Sequence, residues 1–276
     1  MFKHPNEFVR FATVPDLPGV ELYSARLVDH AFSPHVHETW SIGVIEAGVE
    51  RFRYRGGAHL ADAGTLVFLN PDEPHTGEAG ATGGWRYRML YLDANAFSPL
   101  LGRSAYFPVP TVRDPQAARR LATALTRIEQ ADEPLAAQQA LLDLIDDVVV
   151  RHAQACEVRA PADGRARFRQ LLEYIEAHLD QPLDLGRLAG LSGLSMHHFA
   201  RSFAAAMHLS PHRYVQARRL LRAKHLLAAR RPASEVAAEV GLTDQSHLTR
   251  WFRQTYGVTP AQYQAQLGRP RSGRVP

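Results

Sequence analysis

The sequence predicts an α+β protein of two domains, an N-terminal antiparallel β-barrel or jelly roll with trailing helices and a C-terminal all-α domain built on two helix-turn-helix units. Three observations carry this reading. Short alternating apolar runs, punctuated by Gly, Pro and Asp, fill residues 1 to about 110. Helical periodicity replaces them from Asp114 onward. Finally, one segment is written twice: His198, Phe199, Arg201, Phe203, Ser210, Pro211 and Tyr214 return 49 residues later as His247, Leu248, Arg250, Phe252, Thr259, Pro260 and Tyr263. A chain of 276 residues is long enough for two cores. The expected boundaries are 1–153 for the β domain, 154–166 for a linker, 167–266 for the helical domain and 267–276 for a basic tail.

In the first domain the runs SIGVIEAG, ERFRYRGG, GTLVFLN and WRYRMLYLD read as strands with glycine turns between them, a pattern that favours a small closed barrel or double-sheet roll. Leu121, Leu125 and Ile128 then line one helical face, Pro134 breaks the run, and Leu141, Leu142, Leu144, Ile145 and Val148 begin a second. Both stripes must be buried, either on the barrel or on a second copy of the chain. The stretch QACEVRAPADGRA lacks apolar periodicity and reads as the linker. RFRQLLEYIEAHL opens the helical domain, with Phe168, Leu171, Leu172, Ile175 and Leu179 facing inward.

Each repeat is a short helix, a tight turn and a second helix. Asp184 can cap the helix carrying Leu185, Leu188 and Ala189, and Ser195 the one carrying Phe199 and Phe203. In the second copy Ser234 is the expected cap for Val236, Ala237 and Val240, and Thr243 or Asp244 for Leu248 and Phe252. Pro211 to Arg231 has no glycine, and its proline falls at the favoured first position, so it reads as one rigid connecting helix. About 19 residues would span roughly 28 Å, somewhat less than the roughly 34 Å between major-groove faces one turn apart. The basic residues Arg218, Arg219, Arg222 and Lys224 on this strut are candidates for phosphate contact or for a solvated face.

The net charge of +4 conceals a division. From Ala160 onward there are 17 Lys plus Arg against 8 Asp plus Glu, hence +9, and before it 15 against 20, hence −5. The basic half carries the repeat, as phosphate binding requires. A single cysteine, Cys156, rules out an internal disulfide and a cysteine-based zinc site, and a free thiol is ordinary in a reducing cytosol. No signal-peptide pattern or run of about 18 apolar residues is present, so the expected location is cytoplasmic, without membrane contact. No phosphate loop, dinucleotide fingerprint or nucleophile motif occurs.

The second copy, GLTDQSHLTRWFRQTYGVTPAQY, and the first, PLDLGRLAGLSGLSMHHFARSF, resemble the DNA-binding domain of the AraC/XylS family of bacterial transcription regulators over about 100 residues. The resemblance implies base-facing positions at His197, Ala200 and Arg201, and at Gln245, Ser246, Thr249 and Arg250. Arg donates two bonds to guanine and Gln pairs with adenine, which fits that role; Ala200 departs from the commoner polar choice. It further implies promoter DNA, a small-molecule effector, RNA polymerase and a second copy of the chain as partners. The expected action is effector-responsive regulation, with activation the family habit, in the nucleoid-associated cytoplasm and without catalysis or cofactor.

FSPHVHETWSIGVIEAGVERFRYRGG with GTLVFLNPDEPHTGE resembles the cupin-type sensor domain that precedes many such DNA-binding domains. His35 and His37 lie two apart and so share a strand face, with His75 on a neighbouring strand. Imidazoles suit Zn, Fe, Ni or Cu, but Ser41 and Ile42 stand where metal-binding cupins carry glutamate. The favoured reading is that the three histidines bond a small effector or pack in the barrel mouth, with metal the weaker candidate. Trp40, Arg53, Trp85 and Tyr87 are the other expected pocket residues, since pockets combine aromatic walls with a few polar groups. The rival readings are a metal-dependent cupin enzyme that also binds DNA, and an architectural DNA binder without ligand.

Overall fold

In the computed structural model, residues 4–14, 17–93, 105–155 and 164–267 are described. Cys156 and the tail 268–276 lie outside them.

The described strands of the N-terminal domain begin with β1 (Phe8–Thr13), β2 (Val20–Leu27), β3 (Phe32–His35), β4 (Thr39–Tyr54), β5 (Gly57–Asp62), β6 (Thr65–Leu69), β7 (His75–Ala79), β8 (Trp85–Asp93), β9 (Ala105–Tyr106) and β10 (Thr111–Arg113). The 16-residue β4 organises them. Its first half pairs with β8 and β6 in the order β1-β2-β8-β4-β6-β10, while its second half pairs with β5 and β7, and β7 with β3. A register shift between Ile45 and Ala47 marks where the strand passes from one sheet to the other, the bend a β-bulge produces. Arg55 and Gly56, both with positive φ, close the β4–β5 hairpin, matching the twist that two-residue turns require.

The period-two alternation of these strands divides the apolar residues between two cores. Leu22, Trp40, Ile42, Val44, Phe68, Leu90 and Leu92 face outward, onto α1 (Pro115–Gln130) and α2 (Pro134–Leu144). Leu121, Leu125 and Ile128 of α1 are buried in this layer, so its stripe is spent on the barrel of its own chain. Asp114 caps α1 by accepting from the N–H groups of Gln116 and Ala117, each at 2.9 Å. Tyr23, Ala25, Phe52, Tyr54, Tyr87, Met89 and Tyr91 point the other way, into the barrel. Gln154–Ala155, expected as the start of the linker, pair as β11 with β9.

The helical domain comprises α3 (Arg169–Ala177), α4 (Leu185–Leu191), α5 (Met196–Met207), α6 (Pro211–Ala228), α7 (Ala233–Glu239), α8 (Gln245–Tyr256) and α9 (Pro260–Leu267). Asp184, Ser195 and Asp244 accept hydrogen bonds from the third residue beyond each, capping α4, α5 and α8. Ser234 is not a cap: Pro232 takes that position with extended backbone, and the serine falls inside the first turn of α7. Phe199 and Phe203 pack with Phe168, Leu188 and Tyr214 in the first unit's core. The second unit's core is continuous with that of the barrel. Val236, Val240, Leu248, Phe252, Tyr256 and Tyr263 belong to one cluster with the barrel's Val9, Phe11, Phe32 and Tyr91.

Candidate functional site

The two base-reading candidates sit on equivalent helices in different surroundings. On α5, His197 and Arg201 are exposed and Ala200 is half-buried, with the inward side taken by Phe199 and Phe203. On α8, Gln245, Ser246 and Arg250 are exposed and Thr249 half-buried, again opposite a buried Leu248 and Phe252. Each set therefore occupies one face of a helix, as insertion into a major groove requires. The α8 face, however, lines a cleft whose other wall is Asp29, His30 and Ala31, the loop between β2 and β3. The barrel domain borders the second reading helix and leaves the first open.

The strut places its cations elsewhere than expected. Lys224 is buried: its Nζ donates to Glu21 Oε1 of β2 at 2.5 Å and lies 5.1 to 5.7 Å from the ring centres of Phe11, Tyr91, Tyr256 and Tyr263. Tyr263 donates to the other oxygen of Glu21 at 3.1 Å. Arg218 binds Glu38 at 3.0 Å, Asp72 at 2.8 Å and Glu176; burial works to lower its guanidinium, but Glu176 and Asp72 hold it above the usual arginine value. Arg219 donates to the carbonyls of Leu179 and Gln181. Arg222 is 3.9 Å from Glu239. Thus Lys224 and Arg218 clamp the strut to the barrel, because acids from β2 and the loops flanking β3 and β6 face it. Gln266 of α9 adds to the seam, accepting from Phe11 N–H and donating to Val9 C=O, each at 2.9 Å. Gly257, the left-handed cap of α8, lies so close to Val9 that a Cβ there would come within 2.8 Å of its Cγ2.

Beneath this seam is a narrow cavity lined by Phe11, Tyr23, Phe32, Phe52, Tyr87, Met89 and Tyr91, by His35, His37, His75 and Glu50, and by Thr255 and Tyr256 from α8. The three histidines come together, their ring nitrogens all within 4.8 Å of one another. Burial holds His35 and His37 well below the usual imidazole value and brings His75 down to about 4, so all three are neutral at pH 7. Glu50 has its carboxyl pushed up to about 8 by burial alone. Of the other expected pocket residues, Tyr87 lines the cavity. Trp40 shares strand parity with Ile42 and Val44 and packs under the helices. Arg53 alternates outward between buried Phe52 and Tyr54 and is exposed. Trp85 is buried beside the cavity, stacked on Tyr87 at 5.8 Å, without lining it. Glu50, Tyr23, Tyr91, Thr255 and Tyr256 went unread in the sequence. The alternation Glu50, Phe52, Tyr54 is the signal that places Glu50 inside; nothing local places Tyr256 against a barrel.

A narrow cavity in a β barrel, roofed by the second helix of one of two helix-turn-helix units, defines the class: a sensor-type barrel joined to a duplicated helix-turn-helix. The profile described as AraC-like ligand binding domain matches residues 17–145, and that of a helix-turn-helix domain matches residues 188–266. The chain thus carries an AraC-like ligand binding domain followed by a helix-turn-helix domain, the make-up of a DNA-binding transcription regulator, and its relatives are named as such. It is 23% identical over 235 residues to the HTH-type transcriptional regulator YbfI of Bacillus subtilis, covering 83% of this chain and 86% of that one. With the HTH-type transcriptional activator RhaS of Citrobacter koseri it shares 25% identity over 252 residues, 85% of this chain and 88% of the relative. The crystal structure of ToxT from Vibrio cholerae O395 superposes with a TM-score of 0.55 at 9% identity, covering 91% and 99% of the two chains, a likeness of fold. Among the described residues no helix is long and apolar enough to cross a membrane.

Proposed function

We propose that this chain is an effector-responsive transcription activator that reads two successive major-groove segments with α5 and α8. Its signal is the occupancy of the cavity beneath α8. The observation that carries the proposal is the shared seam: the second reading unit is built into the same apolar cluster as the barrel, so whatever fills the cavity bears directly on α8. Effector binding controls DNA binding only if the effector prefers one arrangement of the two domains. A ligand that separates Tyr256 and Thr255 from the barrel frees the α8 face from the Asp29 loop.

The base readers in this account are His197, Ala200 and Arg201 for one half-element and Gln245, Ser246, Thr249 and Arg250 for the other. His35, His37, His75 and Tyr87 supply the polar contacts to the effector, joined by Glu50 and Tyr256. A second copy of the chain docks on α2, where Leu135 and Leu142 remain exposed at 72% and 44%. Activation follows the printed function of RhaS, with RNA polymerase as the further partner, action at the nucleoid in the cytoplasm and no catalytic step. The test is recovery of genomic fragments bound by purified protein at physiological salt. The expected result is a shared motif of two half-elements about one helical turn apart; binding without enrichment and with steep salt dependence refutes sequence-specific reading.

A further inference from the structure

Glu50 lines the cavity with a carboxyl that the chain itself does not satisfy. The residue is 8% exposed, and among the described residues no cation pairs with it and no group donates to it. Strand alternation is the cause: Arg51 and Arg53, its neighbours on β4, are exposed, and Arg51 reaches Glu78 at 3.0 Å. Gly77 of β7 makes room for the carboxyl, since a Cβ there would stand 2.8 Å from Glu50 Oε1. Burying an acid without a partner is costly, so the group calls for one from outside the chain. A neighbouring carboxylate shows what suits such a place. Glu21 holds the ammonium of Lys224, which lies 5.1 to 5.7 Å from four ring centres. Two of those rings, Tyr91 and Tyr256, also line the cavity, where Tyr23 and Tyr87 stand within reach of the Glu50 charge. Two further groups accept as well: His35 Nδ1 and His75 Nδ1 lie 2.8 and 3.1 Å from the carbonyl oxygens of Ser33 and Glu73, so each Nε2 offers a lone pair. A carboxyl, imidazole acceptors and electron-rich ring faces together complement a cation that carries several N–H donors.

We propose that Glu50 and the tyrosines around it form a site for the ammonium group of a small amine, which makes the effector's chemical class a primary amine. The class of effector rests on the regulator reading above; the ammonium site itself does not. The described residues lining the cavity include no lysine or arginine, so a carboxylate or phosphate meets no cation there. A polyol leaves the carboxyl uncharged and the ring faces without a cation. The cavity is narrow and closed by Thr255 and Tyr256, so a short chain fits beneath α8 and a longer substituent lifts it. Burial keeps the Glu50 carboxyl protonated at neutral pH. Seating an ammonium therefore expels one proton to solvent and leaves carboxylate and cation paired. No other group lining the cavity changes charge near that pH. Burial holds the phenols of Tyr23, Tyr87, Tyr91 and Tyr256 above their ordinary value and the three histidines below theirs.

The experiment uses the full-length protein without DNA, in EDTA, and three probes of one length, propylamine, propan-1-ol and propionate, titrated by ligand-observed NMR. At pH 7 propylamine should bind about 10- to 100-fold more tightly than either of the others, the ratio that hydrogen bonds to a charged group confer. Glu50→Gln should bring the amine down to the level of the alcohol. Glu78→Gln, which alters an exposed carboxylate on the next strand, should bind as wild type. Affinity for propylamine should rise about tenfold from pH 6.5 to 7.5, as one expelled proton requires. If Glu50→Gln does not fold, that slope and the amine-to-alcohol ratio on wild-type protein decide. Equal binding of amine and alcohol, no binding of the amine, or full amine binding by folded Glu50→Gln would overturn the proposal and leave the DNA-binding reading standing. Propylamine that binds through Glu50 yet leaves the affinity for DNA unchanged would confirm the ammonium site and refute its role in the effector response.

Discussion

The contact between Lys224 and Glu21 joins the two domains directly, and a double-mutant cycle measures it. Lys224→Met removes the ammonium while retaining most of the stem, and Glu21→Gln removes the carboxylate charge at constant shape. Removing one partner of a buried pair leaves an uncompensated charge and costs about 3 to 5 kcal/mol. Here the side chains are 11% and 16% exposed, and four rings still face the ammonium. The expectation for each single variant is therefore lower, about 2 to 4 kcal/mol. The double variant should cost less than the sum, giving a coupling of about 1 to 3 kcal/mol. Urea unfolding followed by tryptophan fluorescence reads this, because Trp40 and Trp85 report on the barrel and Trp251 on α8. The single variants should also separate the two transitions, since they weaken the seam rather than either core. A coupling below about 0.5 kcal/mol, the scatter of independent sites, would refute the conclusion that the strut is clamped to the barrel.

Glu50 sets a pH dependence of stability. Its folded-state value, about 8, stands above the ordinary 4.5, so between those values the unfolded chain has released a proton that the folded chain keeps. Stability falls across that window as pH rises, by up to about 5 kcal/mol; Glu50→Gln should flatten this limb in unfolding curves at pH 5.5 and 8.5. The lowered values of His35, His37 and His75 act in the opposite sense, removing stability as pH falls below about 6.5. Phe203→Ala and Phe252→Ala should each lose about 3 to 5 kcal/mol of core packing. Because Phe252 packs in the cluster shared with the barrel, its variant should also expose barrel surface to a hydrophobic dye, whereas the Phe203 variant should not. Arg250→Ala should relax preference at one base position and cost roughly 1 to 3 kcal/mol; equal weakening on all sequences would assign Arg250 to phosphate.

The helical domain was legible in the sequence to the level of single caps, because the repeat, the glycine at 241 and the acids at 184 and 244 act locally. The error at Ser234 has a local cause too, as Pro232 starts the helix early. Within the barrel, alternation places Trp40 with Ile42 and Val44 and so sends it to the helix layer, while the same rule puts Glu50 inside; the strand period, not the residue type, decides which side chains face the cavity. What could not be read is the seam. Lys224 and Glu21 are separated by 203 positions, and a basic residue on a helix looks solvated until an acid from another domain is seen beside it. The same holds for Tyr256, whose ring lies 6.1 Å from that of the barrel's His35.

Restraint of α8 by the barrel is tested most directly by one comparison: the affinity of Glu21→Gln and wild-type protein for the same recovered DNA fragment, at equal salt. Opening the seam should tighten binding by about 10-fold, the 1.4 kcal/mol of a modest coupling, and adding Arg250→Ala should remove the gain. A folded Glu21→Gln protein that binds no more tightly than wild type would contradict it.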